Sequence, residues 1–135
     1  MNAITPVEVF ASFIDRINAH DVDALSEMMT DDHLFVDSLG RSSRGREAMK
    51  EAWDAYFRLF PDYAIACEET IGRAELVVGI GAARGTYSAA GLLFPDNSWE
   101  IPAAWKAIVE DGRVAEWRVY ADNDPVRRII ASPKK

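Results

Sequence analysis

The stretch from residue 33 to residue 45, His-Leu-Phe-Val-Asp-Ser-Leu-Gly-Arg-Ser-Ser-Arg-Gly, places one carboxylate at the end of a short apolar run. Side chains alternate along a strand, so His33, Phe35 and Asp37 share one face and the two residues between them share the other. Both faces are largely apolar, which predicts a strand that is covered on both sides. An acid at the end of such a strand, beside a loop that contains glycine, is expected at the floor of a binding cavity. The alternative is that Asp37 caps the following turn, since aspartate often accepts a hydrogen bond from the backbone two residues on.

The composition predicts one globular domain that spans residues 1–135. Hydrophobic residues make up 49% of the chain and charged residues 27%, a balance that argues for a globular fold and against a disordered protein. The formal net charge of -7 argues against nucleic-acid binding, which depends on clustered lysine and arginine. The single cysteine, Cys67, forms no internal disulfide, no apolar run approaches the ~18 residues of a membrane span, and the first residues do not resemble a signal peptide. These features predict a cytoplasmic protein with no membrane partner.

Periodicity predicts helices first and strands afterwards. Thr5 and Pro6 begin a first helix that runs to about His20, and Asp21 or Asp23 caps a short second helix. The other predicted elements are a third helix over 45–60, strands over 63–71, 75–87, 99–109 and 113–120, and a short terminal helix after residue 122.

Two features of the strand region bear on its shape. Gly79, Gly81 and Gly85 predict bulges or sharp curvature in the second of these strands. The segment 89–98 is either a flexible connection that covers a cavity mouth or an ordinary hairpin loop.

Three motifs carry a resemblance to a known family: INAHDVDALSEMMTDDHLFVDSLG at residues 17–40, W..YF..FPDY at 53–63 and VEDGRVAEWRVYAD at 109–122. With the order of the elements, they make nearly the whole chain resemble the SnoaL-like and ketosteroid isomerase-like proteins of the nuclear transport factor 2 superfamily. The resemblance implies an α+β, cystatin-like fold: a cone-shaped barrel with three helices packed on a curved antiparallel sheet around an apolar cavity. It also implies a homodimer, joined through the outer faces of the sheets. The fold hosts isomerases, cyclases, dehydratases and hydrolases as well as non-catalytic binders, so it does not fix the activity.

Carried over position by position, the resemblance gives Asp37 the place of the aspartate that moves a proton between carbons in the ketosteroid isomerases. It therefore implies a general base. The tyrosine that those enzymes place on the first helix corresponds to Phe13, and their protonated aspartate falls between Ala103 and Trp105. Because losing one oxyanion donor typically costs on the order of a hundredfold or more in rate, ketosteroid isomerase activity itself is not expected.

His33 is the second catalytic candidate, although four residues along a strand span about 13 Å, too far for a dyad with Asp37. His33 either lines the base of the cavity or is a satisfied core histidine. A base at Asp37 should have a raised pKa through desolvation, whereas a turn cap should have a lowered pKa. Two histidines without paired acids make no metal site, and no cofactor is expected.

The predicted cavity is lined mainly by aromatic side chains from the third helix and the last hairpin. The predicted ligand-binding residues are Phe13, Ile17, Phe35, Trp53, Tyr56, Phe57, Phe60, Trp105, Trp117 and Tyr120.

Two functions fit these residues. The first is a cofactor-independent isomerase, cyclase or lyase that acts on a small apolar carbonyl compound, with Asp37 as general base. The second is a non-catalytic module that binds a small apolar or aromatic molecule or serves dimerisation.

Overall fold

The computed structural model describes residues 4–134 as four helices and one six-stranded sheet. The helices are α1 (Pro6–Asn18), α2 (Val22–Glu27), α3 (Arg46–Leu59) and α4 (Asp124–Ala131). The strands are β1 (Met29–Val36), β2 (Ser42–Arg44), β3 (Ala64–Arg73), β4 (Leu76–Ala89), β5 (Leu92–Glu110) and β6 (Arg113–Ala121).

The first two helices begin at the residues that the sequence marks for capping. The Thr5 hydroxyl accepts the Glu8 N–H at 3.2 Å, and the Asp21 carboxylate accepts the Ala24 N–H at 3.1 Å. The first helix ends at Asn18, two residues before the predicted end, because His20 adopts a left-handed conformation with φ 55° that cannot continue a helix. The predicted helix order is confirmed, with ends shifted by one or two residues.

The strands lie in the order β2-β1-β6-β5-β4-β3. The pairs among β3, β4, β5 and β6 are antiparallel, but β1 pairs with β6 in parallel. The α+β class is therefore confirmed, whereas the prediction of a wholly antiparallel sheet is wrong. The long connection between β1 and β6 removes the hairpin constraint that makes neighbouring strands antiparallel. Within residues 4–134 the end strands β2 and β3 do not pair with each other, so the curved sheet stays open and forms a cone rather than a closed barrel.

A bulge bends the sheet where β3 pairs with β4. The register of β3 on β4 shifts between Cys67 and Glu69, opposite Gly81. A Cβ atom on Gly81 would lie 1.9 Å from the Ala66 carbonyl oxygen, so only glycine permits this approach. The same atom on Gly79 would lie 2.5 Å from the Phe10 ring. The predicted bulge is confirmed opposite Gly81.

The predicted loop over 89–98 is a strand hairpin. Strands β4 and β5 continue to a two-residue turn at Ala90 and Gly91, both with positive φ, which is the geometry of a tight hairpin. Leu92 and Leu93 at the tip are exposed and do not contribute to the cavity between α3 and the sheet. At the base, the buried Asn97 side chain makes two hydrogen bonds to the Lys134 backbone, at 2.9 and 2.7 Å.

We predict that Gly81→Ala lowers the free energy of unfolding by about 2 kcal/mol, because the new Cβ must displace the Ala66 backbone. Urea unfolding measures this difference. The matched control is Gly85→Ala, whose Cβ would meet the Trp99 ring at 3.1 Å and should cost less. Equal losses in the two variants would show that the bend does not depend on the approach of the Ala66 carbonyl.

Candidate functional site

A cavity of about 370 Å³ lies between α3, the inner face of the sheet, the loop after β1, and α4. Its wall is mostly apolar. The aromatic residues that line it are Phe35, Trp53, Tyr56, Phe60, Tyr63, Trp99, Trp105 and Trp117.

Edge-to-face packing holds the aromatic wall in place. The Phe60 and Trp99 rings lie 5.3 Å apart at 85°, and the Tyr56 and Tyr63 rings lie 4.9 Å apart at 87°. Such pairs fix ring orientations and stabilise by about 0.5–1.5 kcal/mol beyond burial. The rings therefore brace one another around the space instead of collapsing into it.

Asp37 lies at the edge of this cavity, where its carboxylate caps the turn after β1. Oδ1 accepts the backbone N–H groups of Leu39 and Arg41, each at 2.9 Å, and Oδ2 accepts Arg41 Nε at 3.0 Å. Desolvation raises the pKa of Asp37, but the hydrogen bonds from Arg41 and Leu39 and the Arg41 charge outweigh it and lower the pKa below its ordinary value. The prediction of a raised pKa is wrong, and the turn-capping interpretation describes the geometry.

His33 is fully buried and does not line the cavity. Its Nδ1 lies 2.7 Å from the Val114 carbonyl oxygen, while its ring lies 6.2 Å from that of Phe13. Burial lowers the pKa of His33, and the smaller effects of the Val114 carbonyl and of Asp32 and Glu116 oppose this. At neutral pH His33 is therefore a neutral core histidine behind the cavity wall.

The structure brings six of the ten predicted ligand-binding residues into the wall: Phe35, Trp53, Tyr56, Phe60, Trp105 and Trp117.

The other four lie elsewhere. Phe13 and Ile17 are residues of α1 that are fully buried in the core. The Phe57 ring stacks on the His20 ring, with centroids 4.0 Å apart. Tyr120 is half exposed, with the Arg118 guanidinium 5.1 Å from its ring. None of the four lines the cavity.

Two aromatic residues of the wall, Tyr63 and Trp99, were not among the predicted ligand-binding residues. The signal for Trp99 was in the sequence, because it alternates with Ile101 and Trp105 on one face of β5. The terminal helix α4 also contributes Val126 and other residues to the wall, and a hydrogen bond of 2.6 Å from Asn123 to Ser38 ties its start to the Asp37 turn. No local pattern indicates where that helix packs.

Within residues 4–134 no group of three or more His, Cys, Asp or Glu side chains is placed to hold a metal ion. No helix in the same range is long and apolar enough to cross a membrane.

Comparison with known proteins identifies relatives for this arrangement. Residues 10–126 match the family of SnoaL-like domains. No curated protein matches the chain in sequence.

Solved structures share the fold at low sequence identity. A candidate SnoaL-like polyketide cyclase from Jannaschia sp. CCS1 is 20% identical, with a TM-score of 0.81 over 99% of this chain and 98% of that one. IdmH from Streptomyces antibioticus, a candidate polyketide cyclase, is 22% identical, with a TM-score of 0.76 over 93% and 98%. A protein with a ketosteroid isomerase-like fold from Catenulispora acidiphila DSM 44928, solved with trimethylamine, is 15% identical, with a TM-score of 0.77 over 90% of each chain.

We predict that the Asp37 carboxyl titrates below a peptide aspartate, because the folded state stabilises its ionised form. The folded chain then binds fewer protons than the unfolded chain, so the stability that Asp37 contributes is present above pH ~4 and is lost as the pH falls below that value. NMR titration of the carboxyl carbon measures the pKa. Asp37→Asn should flatten this part of the pH profile and cost about 0.5–1 kcal/mol at pH 7, since the Arg41 ion pair is lost. A pKa above that of a peptide aspartate would contradict the capping geometry.

Proposed function

The chain belongs to the SnoaL-like domain family, and on that premise we propose that it binds a small, largely apolar molecule in the aromatic cavity. The observation that carries this proposal is the cavity itself. Its volume of about 370 Å³ falls within the range of small-molecule sites, and its wall combines many apolar side chains with a few polar ones.

The apolar character of the cavity wall supports a ligand-binding role for the cavity. The cavity opens to solvent, and its wall is mostly apolar, so keeping that wall in contact with water carries a free-energy cost. A ligand with one or two fused rings fits the volume and would remove that cost by contact with the aromatic wall.

The second candidate function is an isomerase, cyclase or lyase that acts on a small apolar carbonyl compound, with Asp37 as general base. One observation favours it: Oδ2 of Asp37 carries a single hydrogen bond, so it keeps an acceptor site, and Asp37 lies at the cavity. The lowered pKa leaves the carboxylate in its basic form at neutral pH, although it also makes that base weaker. The structural neighbours named as candidate polyketide cyclases fit the same reaction class.

We predict that Ala83→Phe abolishes binding of an apolar ketone such as acetophenone, because Ala83 is buried in the wall and a phenyl ring there occupies the cavity. Titration followed by tryptophan fluorescence measures binding. Ala55→Phe, at an exposed position of α3 outside the wall, is the matched control and should bind like the unaltered protein. Equal binding by both variants would place the ligand elsewhere.

We predict that, if the protein is an enzyme of the proposed class, Asp37→Asn abolishes proton exchange at the α-carbon of a bound ketone while leaving its affinity nearly unchanged. Exchange in deuterated water, followed by NMR, measures this. Exchange that persists in the variant would exclude Asp37 as the base. Binding without exchange in the unaltered protein would leave ligand binding as the one remaining candidate function.

We also propose that two copies pair through the outer face of the sheet. Ile80 and Tyr120 are exposed there on either side of Ala104, and beside them Lys106 and Glu116 form an ion pair of 2.9 Å. This mixed surface suits a dimer contact.

We predict sedimentation of the unaltered protein as a dimer at micromolar concentration and of Ile80→Arg as a monomer. Leu93→Arg, at the exposed hairpin tip, is the control and should remain a dimer. A monomeric unaltered protein would remove the proposal.

A further inference from the structure

Residues that line the cavity and are also exposed to solvent mark its mouth. Leu39, Leu59 and Ile130 all line the cavity, yet their exposed fractions are 57%, 42% and 38%. Trp105 and Trp117, each 1% exposed, lie at its inner end. The three exposed residues belong to the loop after β1, to the end of α3 and to α4. Helix α4 therefore forms one side of the mouth.

Hydrogen bonds hold the segment that contains α4 at both of its ends. At the start, the Asn123 side-chain amide donates to the Ser38 hydroxyl at 2.6 Å. At the far end, the Asn97 side chain of β5 donates to the Lys134 carbonyl oxygen at 2.9 Å and accepts the Lys134 N–H at 2.7 Å. Asn97 is fully buried, and a buried amide is destabilising without its partners. These two bonds, here called the latch, therefore hold residue 134 against β5.

Between these ends, little packing holds the segment. Helix α4 has eight residues, fewer than the about 12 that an isolated helix needs to be stable, and Asn123 makes no side-chain cap bond to it. Val126 is the one buried side chain of α4, all of whose residues the structure describes, whereas α1 buries five. Segments with few buried apolar contacts open at a lower free energy than the whole domain. We therefore expect α4 to open before α1 does.

We propose that residues 124–134 form a strap that opens and closes the cavity mouth, turning at Asn123 and held shut by the latch. Opening takes Val126 and Ile130 out of the cavity wall and widens the mouth for a ring-sized apolar molecule. The use of this motion for ligand entry rests on the proposed ligand-binding function, whereas the motion itself does not. The SnoaL-like match ends at residue 126, so most of the strap lies outside the matched residues.

The first test is amide hydrogen exchange of the ligand-free protein with two variants at Lys134. Lys134→Pro removes the N–H that Asn97 accepts, at an exposed position outside the sheet, and so weakens the latch without altering β5. Lys134→Ala is the matched control, because it keeps that N–H. We expect Lys134→Pro to speed exchange of the α4 amides by about three- to tenfold, since a lost hydrogen bond raises the open population, and Lys134→Ala to leave it unchanged.

The amides of α1 report on opening of the whole domain and should exchange at the same rate in all three proteins. Unchanged exchange of α4 in Lys134→Pro would overturn the latch. Exchange that becomes faster in α1 as well as in α4 would overturn the strap as a unit that opens separately.

The second test follows binding of acetophenone by stopped-flow tryptophan fluorescence, which reports on the cavity because all four tryptophans of the chain line it. If the ligand must pass the strap, its association and dissociation rate constants both scale with the open population, while Kd does not. We expect Lys134→Pro to raise both rate constants by about three- to tenfold and to leave Kd nearly unchanged.

Rate constants equal to those of the unaltered protein would overturn the strap as the route of entry. Failure of acetophenone to bind the unaltered protein would instead overturn the proposed function, and the exchange rates of α4 and α1 would still decide whether the strap opens.

Discussion

The Ala66 carbonyl approaches Gly81 so closely that no Cβ atom fits there, and the bulge at this point bends β3 and β4 two residues before Ala83, which lines the cavity. A curved sheet cannot be covered evenly by one layer of helices. Helix α1 packs against the sheet directly, with Phe10 and Phe13 within 5.2 and 4.8 Å of the Trp117 ring. Trp117 also lines the cavity, so the same ring packs against α1 in the core and forms part of the cavity wall.

Polar groups divide the site into regions with different properties. At the edge, Asp37 and Arg41 neutralise each other and hold the turn, so this end offers a fixed ion pair rather than a free charge. Within the wall, Tyr56 and Tyr63 remain neutral donors. His33 lies behind the wall, where burial keeps it neutral. An uncharged, largely apolar ligand matches this distribution better than an ion does, because burial of an unpaired charge in the aromatic region carries a large desolvation cost.

The fold could be predicted from the sequence because its signals are local: caps at Thr5 and Asp21, alternation along β5, and glycines opposite a bulge. The order of the elements carried the resemblance, and the resemblance added the cone-shaped arrangement of helices on a curved sheet. The chemistry of Asp37 could not be predicted, since its pKa depends on whether Arg41, four residues away, folds back onto the carboxylate. The parallel pairing of β1 with β6 and the place of α4 depend on long-range packing, which no spacing in the sequence encodes.

Crystallography under xenon pressure tests most directly whether the aromatic wall surrounds apolar space that no side chain fills. Xenon enters dry apolar cavities and is visible by its electron density. We predict xenon between the indole rings of Trp53, Trp99 and Trp117, with the surrounding side chains unmoved. Rings collapsed into the space, or a chain of ordered waters filling it, would contradict an open, apolar cavity.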